Sequence, residues 1–286
     1  MSIRLAWVTT SAARGYDDDE PLALAALAAA GVEAEVVDWD DAAVDWSSYD
    51  RAVLRSVWDY PDRLQEFVSW LDVVAGLTDL RNPSAAVRWS LDKHYLADLV
   101  DAGVPTTPTR VVEPGERAVL PDGDVVVKPA VGAGSRDASS YGPDQAGLAH
   151  DHVERLLAAG RSVLVQPMLA SVAAEGEWPL VFFGGRYSHA ASKRVMLPRA
   201  GIVEGLFLQE TLAEHTADPA QVAVARAAVD VVEARFGTPT YARIDLVRGD
   251  DGLPCVLEVE LVEPSLFLPQ GGPAAVERLV AALISA

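Results

Sequence analysis

The sequence predicts a folded α/β protein of two or three lobes, with a parallel sheet at the start of the chain and antiparallel strands towards its end. The chain has 286 residues, of which 50% are hydrophobic, so it can bury a large core. Strand-like runs alternate with helical segments over residues 1–90, an order typical of a parallel sheet. Near the end, two runs rich in Ile, Val and Leu flank the turn 248–252, which predicts a β-hairpin.

Apolar runs and helix-end signals define the first elements. We predict strands over 3–8, 32–38 and 51–55, and helices over 21–30 and 64–74. Acidic residues before Pro21 and the glycine Gly31 after the last turn favour the first helix, through its dipole and its carboxyl cap.

Ligands of parallel sheets gather at the carboxyl ends of the strands. The segments 9–18, 55–60 and 82–83 lie at such ends and are candidate ligand-binding loops. A ligand-binding role is favoured for Arg55, whereas Trp58 fits a core-filling role better.

The middle of the chain carries two lysines near predicted strands and loops. Helix 91–102 contains Lys93, for which a solvated helix position, the commonest fate of lysine, is the alternative, and the connector 104–108 is a candidate domain boundary. A buried strand then leads to Lys128 and a loop with Gly132, Gly134 and Ser135. Glycines let backbone amides approach a phosphate, although no Walker ending is present. An ordinary flexible loop is the alternative, and the lysine makes it less attractive.

The elements that follow prepare the final hairpin. We predict a helix over 150–160, a strand over 162–166, a hairpin over 178–193 and a helix over 219–236. Gln166 ends its strand beside exposed backbone, which suits the edge of an adenine ring, although a routine strand end has the same pattern.

The final hairpin places charged side chains on one face. Because side chains alternate along a strand, Arg243 and Asp245 share a face, and so do Glu258 and Glu260. If Asp245 pairs with Glu258, all four side chains project the same way, and the like charges repel. Mg²⁺ would relieve that repulsion, because it binds carboxylate oxygens. A solvent-facing edge hairpin with solubilising acids is the alternative.

Composition limits the partners and the location. The net charge of −19 argues against binding to nucleic acid or to anionic membranes by bulk electrostatics. Cys255 is the only cysteine, so no intrachain disulfide is possible. The five histidines lack zinc-site spacing. The start of the chain lacks a signal-peptide pattern, and no membrane span is expected, so a cytoplasmic protein is predicted.

The order of these motifs resembles the ATP-grasp superfamily over the last two thirds of the chain. The motifs that carry the resemblance are DK at 92–93, VVKP at 126–129 with its small-residue loop, VQPM at 165–168, GEW at 176–178, SHAASK at 188–193, R-x-D at 243–245 and LEVEL at 257–261. More closely, NP at 82–83, VRWSLDKHYL at 87–96, the 188–193 motif and LEVELVEPSLFL at 257–268 resemble the branch that includes the D-cycloserine-forming O-ureido-D-serine cyclo-ligases.

The resemblance implies a fold and a reaction. The fold would be an ATP-grasp fold, with an α/β substrate lobe at 1–90 and two α+β lobes at 91–165 and 166–286, whose antiparallel sheets enclose ATP. The reaction would be ATP- and Mg²⁺-dependent joining of a carboxylate to an amine through an acyl phosphate, on a small amino-acid-like substrate. There are two alternatives. One is intermolecular ligation of amino acids or dipeptides, and the other is a non-catalytic ATP-binding module. The chain would act as a monomer or a homodimer.

The resemblance also assigns roles to residues. The nucleotide would be bound by Lys93, Lys128, Gly132, Gly134, Ser135, Gln166, Met168, Leu169, Glu177 and Lys193. Lys193 would act on the γ-phosphate, and Arg243 would stabilise charge on the acyl phosphate and the tetrahedral intermediate. Two Mg²⁺ ions would be held by Asp245, Glu258 and Glu260, although the superfamily usually carries Asn at the last position. The substrate would lie among Arg55, Asp59, Asp18, Asn82, Glu263 and Ser265.

Overall fold

The computed structural model describes residues 2–201, 208 and 210–285. The amino-terminal lobe contains β1 (Arg4–Thr9), α1 (Glu20–Ala29), β2 (Glu33–Asp38), β3 (Arg51–Ser56), α2 (Leu64–Val74) and β4 (Asp79–Arg81). The four strands form one parallel sheet in the order β2-β1-β3-β4. Residues Leu5 to Val8 of β1 are fully buried, as expected of a parallel strand covered on both faces. The predicted parallel lobe is therefore confirmed.

Two short helices lead out of this lobe: α3 (Ser84–Leu91) and α4 (Tyr95–Asp101). The sequence predicted one helix over 91–102, which is wrong at its start. The backbone N–H of Lys93 donates to the carbonyl of Ala130, at 3.0 Å, and the chain leaves helical geometry at Asp92. This interruption places Lys93 against the loop that follows Lys128.

The central lobe contains β5 (Arg110–Val112), β6 (Val125–Pro129), β7 (Ser139–Tyr141), α5 (Ala146–Ala158) and β8 (Val163–Pro167). Its strands pair in the antiparallel order β5-β8-β6-β7. The apolar face of α5 covers the sheet through Val153 and Leu156, which pack with Val127 and Val165. Lys128 therefore leaves β6 on the opposite side, towards the third lobe.

The carboxy-terminal lobe contains α6 (Ala170–Glu175), β9 (Trp178–Phe183), β10 (Arg186–Arg194), β11 (Thr211–His215), α7 (Pro219–Phe236), β12 (Tyr241–Arg248), β13 (Pro254–Glu260) and α8 (Leu268–Ile284). Its antiparallel sheet has the order β11-β10-β9-β12-β13. Helix α7 packs on one face of this sheet, and α8 crosses to α1 in the first lobe. The sequence did not predict α6, β11 or α8.

One parallel lobe followed by two antiparallel lobes is the expected architecture, and it is confirmed; the lobe boundaries at 90 and 165 stay predictions. The β12–β13 register sets Arg243 opposite Glu260 and Asp245 opposite Glu258, as the alternation predicted. Within the described part of the chain, no helix has the length and apolarity needed to cross a membrane.

Candidate active site

A cavity of about 1100 Å³ lies where the three lobes meet. Every residue predicted to bind the nucleotide lines this cavity: Lys93, Lys128, Gly132, Gly134, Ser135, Gln166, Met168, Leu169, Glu177 and Lys193. Arg243, Glu258 and Glu260 line it as well, and Asp245 is fully buried beneath them. The structure therefore brings together the predicted residues from both antiparallel sheets and their loops.

The charged face of the final hairpin points into the cavity and away from bulk solvent. Arg243 binds Asp245 through two hydrogen bonds, Nε to Oδ1 at 2.7 Å and Nη2 to Oδ2 at 2.9 Å, and also pairs with Glu260. Asp245, Glu258 and Glu260 each offer an oxygen within 4.8 Å of the others. A solubilising edge hairpin is therefore the wrong interpretation, because Asp245 has no exposed surface.

These three carboxylates fit Mg²⁺ by the chemistry of their donors. Mg²⁺ takes hard oxygen ligands and usually one or two carboxylates in addition to water and phosphate. Burial raises the pKa of Glu260 to about 7, against the opposing charge of Arg243. A bound cation would favour the ionised form of this group.

Two lysines from the central lobe meet on one of these carboxylates. Lys93 Nζ lies 3.1 Å and Lys128 Nζ 3.5 Å from the same oxygen of Glu258. Lys93 also donates to the carbonyl of Gly132, at 3.0 Å. Burial opposes ionisation of Glu258, but the charges of Lys93, Lys128 and Lys193 outweigh it and hold the pKa of this carboxyl below its usual range.

The third lysine is bound between two acids. Lys193 Nζ lies 2.7 Å from Glu177 and 3.1 Å from Asp245. Burial opposes its charge, yet Asp245 and Glu177 raise the pKa of Lys193 well above its ordinary value. Burial also raises the pKa of Glu177, against the effect of Lys193. Both groups lie on paired backbone, because Glu177 and Lys193 exchange two backbone hydrogen bonds.

The lysines carry a signal that the sequence interpretation missed. The whole chain contains only three lysines, and all three line this cavity, whereas its other cationic side chains are arginines or histidines. Lysine is a compact point charge on a flexible stem, which suits binding to successive phosphate oxygens.

The glycine-containing loop after β6 lies over the cavity and reaches the first lobe. Gly134 and Ser135 have positive φ values of 62° and 60°. Arg136 extends from this loop to Asp62 and to the carbonyl of Trp58, at 3.1 Å. The sequence interpretation did not single out Arg136, since its partners lie about 75 positions earlier in the chain.

The residues predicted to contact the adenine ring lie in an enclosed part of the cavity. Gln166 is 2% exposed, and its amide donates to Thr109 Oγ1 at 2.7 Å. The backbone N–H of Met168 donates to Asp124, at 2.8 Å. Leu169 packs with Val247 and Cys255 and gives this end an apolar wall.

The predicted substrate residues divide into two groups. Asp18, Glu263 and Ser265 line the cavity. Arg55, Asp59 and Asn82 do not line the cavity. They contact other protein groups instead, so the expectation that they contact a ligand is corrected. Asp59 accepts hydrogen bonds from Trp39, at 2.9 Å, and Arg63, at 3.3 Å.

Asn82 connects the first lobe to the carboxy-terminal sheet. Its amide donates to the carbonyls of Tyr241 and Leu261, both at 2.8 Å, and its oxygen accepts from Thr240. Asn82 also has a φ of 66°, a conformation that asparagine tolerates better than most residues.

Arg55 is buried beside the segment that carries Glu263 and Ser265. It is 1% exposed, donates to the carbonyl of Pro264 at 2.6 Å and lies 3.5 Å from Asp19. The carboxylate of Asp19 accepts hydrogen bonds from the backbone N–H groups of Leu266, at 2.5 Å, and Leu268, at 2.7 Å. We call Asp19, Arg55 and Asn82 the clamp, because they fix the segment 261–268 from the first lobe.

Comparison with known proteins gives consistent results. Residues 5–82 match the family model described as "D-cycloserine synthetase DcsG, N-terminal domain". The chain is 44% identical over 277 residues to the cycloserine biosynthesis protein DcsG of Streptomyces lavendulae, with 92% of each chain covered.

Solved structures extend the comparison to the fold. The crystal structure of D-cycloserine synthetase DcsG superposes with a TM-score of 0.90, at 42% identity and with 98% of each chain covered. A RimK domain ATP-grasp protein from Sphaerobacter thermophilus has a TM-score of 0.65 at 21% identity, covering 99% of this chain and 100% of the other. The second likeness bears on the fold alone.

Proposed function

The chain belongs to the ATP-grasp ligases of the D-cycloserine synthetase type, and we propose that this ATP-dependent ligase closes a small amino-acid-like substrate into a ring. The substrate would carry both the carboxylate that is activated and the nitrogen that attacks it. O-ureido-D-serine fits this description. After its ring closure, hydrolysis of the bond between the ring nitrogen and the carbamoyl group, which leaves as CO₂ and ammonia, would give D-cycloserine, an antibiotic product.

The observation that carries the proposal is the convergence of four cations and four carboxylates on one cavity. The cations are Lys93, Lys128, Lys193 and Arg243, and the carboxylates are Glu177, Asp245, Glu258 and Glu260. Phosphoryl transfer needs positioning and charge neutralisation more than covalent help from the protein. This set can supply both.

In the first step, an oxygen of the substrate carboxylate attacks the γ-phosphorus of ATP, and the bond to the ADP oxygen breaks. Lys93 and Lys128 would leave Glu258 and bind phosphate oxygens. Mg²⁺, held by Asp245, Glu258 and Glu260, would neutralise charge on the phosphates. Lys193, which Glu177 binds at 2.7 Å, would face the transferred group.

In the second step, the substrate nitrogen attacks the carbonyl carbon, the carbon–oxygen bond to phosphate breaks, and the nitrogen gives up a proton. Arg243 would stabilise the oxygen that becomes negative, and its guanidinium is already oriented by Asp245 and by the carbonyl of Ser265, at 3.1 Å. Preorganised donors of this kind lower barriers substantially. The loop 132–136 would exclude water from the acyl phosphate.

The experiment is phosphate release from MgATP across a panel of amino acids and small carboxylates that includes O-ureido-D-serine, with mass spectrometry of the product. A product that has lost one water from a single substrate, with or without its carbamoyl group, supports ring closure. A joined mass supports intermolecular ligation instead. ATP binding without phosphate release across the panel would support a non-catalytic module and contradict the proposal.

A further inference from the structure

The part of the cavity lined by Asp17, Asp18, Glu263 and Ser265, which we call the substrate end, contains two buried carboxylates that pair with no cation of the described residues. Glu263 and Asp17 are each 8% exposed, and both line the cavity. Neither forms an ion pair with any side chain that the structure describes. The side chain of Tyr60 lies beside Glu263. Asp17 accepts the N–H of Asp19 on one oxygen, at 3.0 Å, while its other oxygen, Oδ2, has no hydrogen-bond partner.

The cations closest to these two acids are already engaged. Arg55 binds Asp19 and Pro264, Arg243 binds Asp245 and Glu260, and Lys93 binds Glu258. A buried carboxylate that lacks a counterion is costly to keep ionised, and a cation brought by a ligand would remove that cost. The chain supplies no such cation among its described residues.

The position of Glu263 indicates which cation it would bind. Glu263 precedes by two residues Ser265, whose carbonyl accepts a hydrogen bond from Arg243, and in the proposed function Arg243 would face the carboxylate that is activated. In an α-amino acid, the ammonium lies two bonds from the carboxyl carbon. The clamp fixes this segment from the first lobe, so the separation between Glu263 and Arg243 is set by buried contacts.

We propose that Glu263 binds the protonated α-amine of the substrate whose carboxylate faces Arg243, with Asp17 as a second buried acid of the same cavity. This inference rests on the proposed function and narrows it to zwitterionic α-amino acids. A nitrogen bound as ammonium has no free lone pair, so it cannot attack the acyl phosphate. The attacking nitrogen is therefore a second nitrogen of the substrate, as ring closure through a side-chain nitrogen requires.

The test compares O-ureido-D-serine with its des-amino analogue, in which hydrogen replaces the α-ammonium. Calorimetric titration measures binding of each compound in the presence of Mg²⁺ and a non-hydrolysable ATP analogue, so no turnover is needed. Wild-type protein is expected to bind the amino compound roughly 10- to 100-fold more tightly, the range for a hydrogen-bonded charge. Glu263→Gln is expected to lose most of this preference through weaker binding of the amino compound.

Two further variants separate recognition from misfolding. Asp17→Asn is expected to reduce the preference in the same direction but by less, while Glu277→Gln, an exposed acid on α8, keeps the wild-type preference. Unchanged affinity for the nucleotide analogue shows that each variant retains its fold. Retention of the preference in Glu263→Gln, equal binding of both compounds to wild-type protein, or binding of neither would overturn the inference.

Kinetics distinguish this inference from the proposed function. Phosphate release with O-ureido-D-serine tests the ligase alone, whereas the ratio of binding constants tests the ammonium site alone. Glu263→Gln is expected to raise KM for the amino compound with little change in kcat. A fall in kcat at unchanged KM, with a shifted pH profile, would place Glu263 in proton transfer and contradict an anchoring role.

Discussion

The phosphate end and the substrate end of the cavity differ in whether their buried charges are paired within the protein. At the phosphate end, each of Lys93, Lys128, Lys193 and Arg243 is paired with a carboxylate of the same cavity. At the substrate end, Glu263 and Asp17 are buried without a cation. The first end can accept a charged ligand only by exchanging its internal partners. The second end gains its missing partner from the ligand.

This difference explains how an acidic chain can bind a polyphosphate. The net charge of −19 opposes anion binding at long range, but the local lysines are already held in the cavity by Glu258, Glu177 and Asp245. Mg²⁺ on those carboxylates would free the lysines for the phosphates. Metal and nucleotide are therefore expected to bind with positive coupling.

The largest effect is expected from Glu258→Gln, which breaks the phosphate end at its centre. The variant loses a metal ligand and the shared partner of Lys93 and Lys128. Phosphate release should fall at least 100- to 1000-fold, by about 2.7–4 kcal/mol, by analogy with loss of one preorganised donor. Glu175→Gln, which removes an acid paired with Arg248 outside the site, is the control and should retain activity. Wild-type turnover by Glu258→Gln would contradict the assignment of Glu258 as a metal ligand.

The next largest effect is expected on stability, from a substitution in the clamp that fixes the segment 261–268. Asp19→Asn leaves Arg55 buried without its carboxylate, and removal of one member of a buried pair typically costs about 3 kcal/mol or more. Urea denaturation should show this loss in the free energy of unfolding. Asp230→Asn removes an exposed ion pair and should change stability little.

A double variant separates the two roles of the clamp. Combining Asp19→Asn with Arg55→Met removes the uncompensated charge, so stability should partly recover. Activity should not recover with it, because Pro264 and Leu266 lose their fixed partners. Full recovery of both would show that the clamp does not position the segment 261–268.

How far the sequence predicts this site depends on the distance between partners. The face shared by Arg243 and Asp245, and its register with Glu258 and Glu260, follow from alternation within one hairpin, and the structure confirms them. The contact of Asp19 with Leu266 spans 247 positions, and no local sequence pattern predicts it.

Some predicted roles changed because the sequence cannot show which polar groups satisfy one another. Arg55 and Asn82 lie at strand ends, where ligands usually gather, but they bind backbone groups of the third lobe. The three-lobed architecture was predicted, whereas α8 was not, since its role in joining the first and third lobes is a tertiary property.

Glu263 at the substrate end and Glu258 at the phosphate end should also differ in the sign of their pH dependence. Burial raises the pKa of Glu263 to about 8, so its contribution to stability is complete below the unfolded pKa of about 4.5 and is lost as the pH rises through 8. The lysines lower the pKa of Glu258, so its contribution is present above about 4.5 and is lost on acidification. Between pH 5 and 8, stability of the wild type should therefore fall relative to Glu263→Gln, by roughly 3 kcal/mol. A difference in stability between the two proteins that does not change across this range would contradict a raised pKa of Glu263 in the folded state.

The smallest effect is expected from Lys128→Ala, which removes one of two lysines on Glu258 and leaves Lys93 in place. Affinity for MgATP should weaken by about 10-fold, the lower range for one charged hydrogen bond. Calorimetric titration measures it, with Arg186→Ala, an exposed cation on β10, as the control. Unchanged nucleotide affinity would refute the assignment of Lys128 to the phosphates.

When metal and nucleotide bind, Glu258 is expected to bind the metal together with Asp245 and Glu260 and to release Lys93 and Lys128 to the phosphates. The most direct measurement is a crystal structure with Mn²⁺ and a non-hydrolysable ATP analogue, in which anomalous scattering locates the metal. We expect the anomalous peak on oxygens of Asp245 and Glu258, with the ammonium groups of Lys93 and Lys128 moved from Glu258 to phosphate oxygens. A metal bound elsewhere, or both lysines still on Glu258 with nucleotide present, would contradict the account.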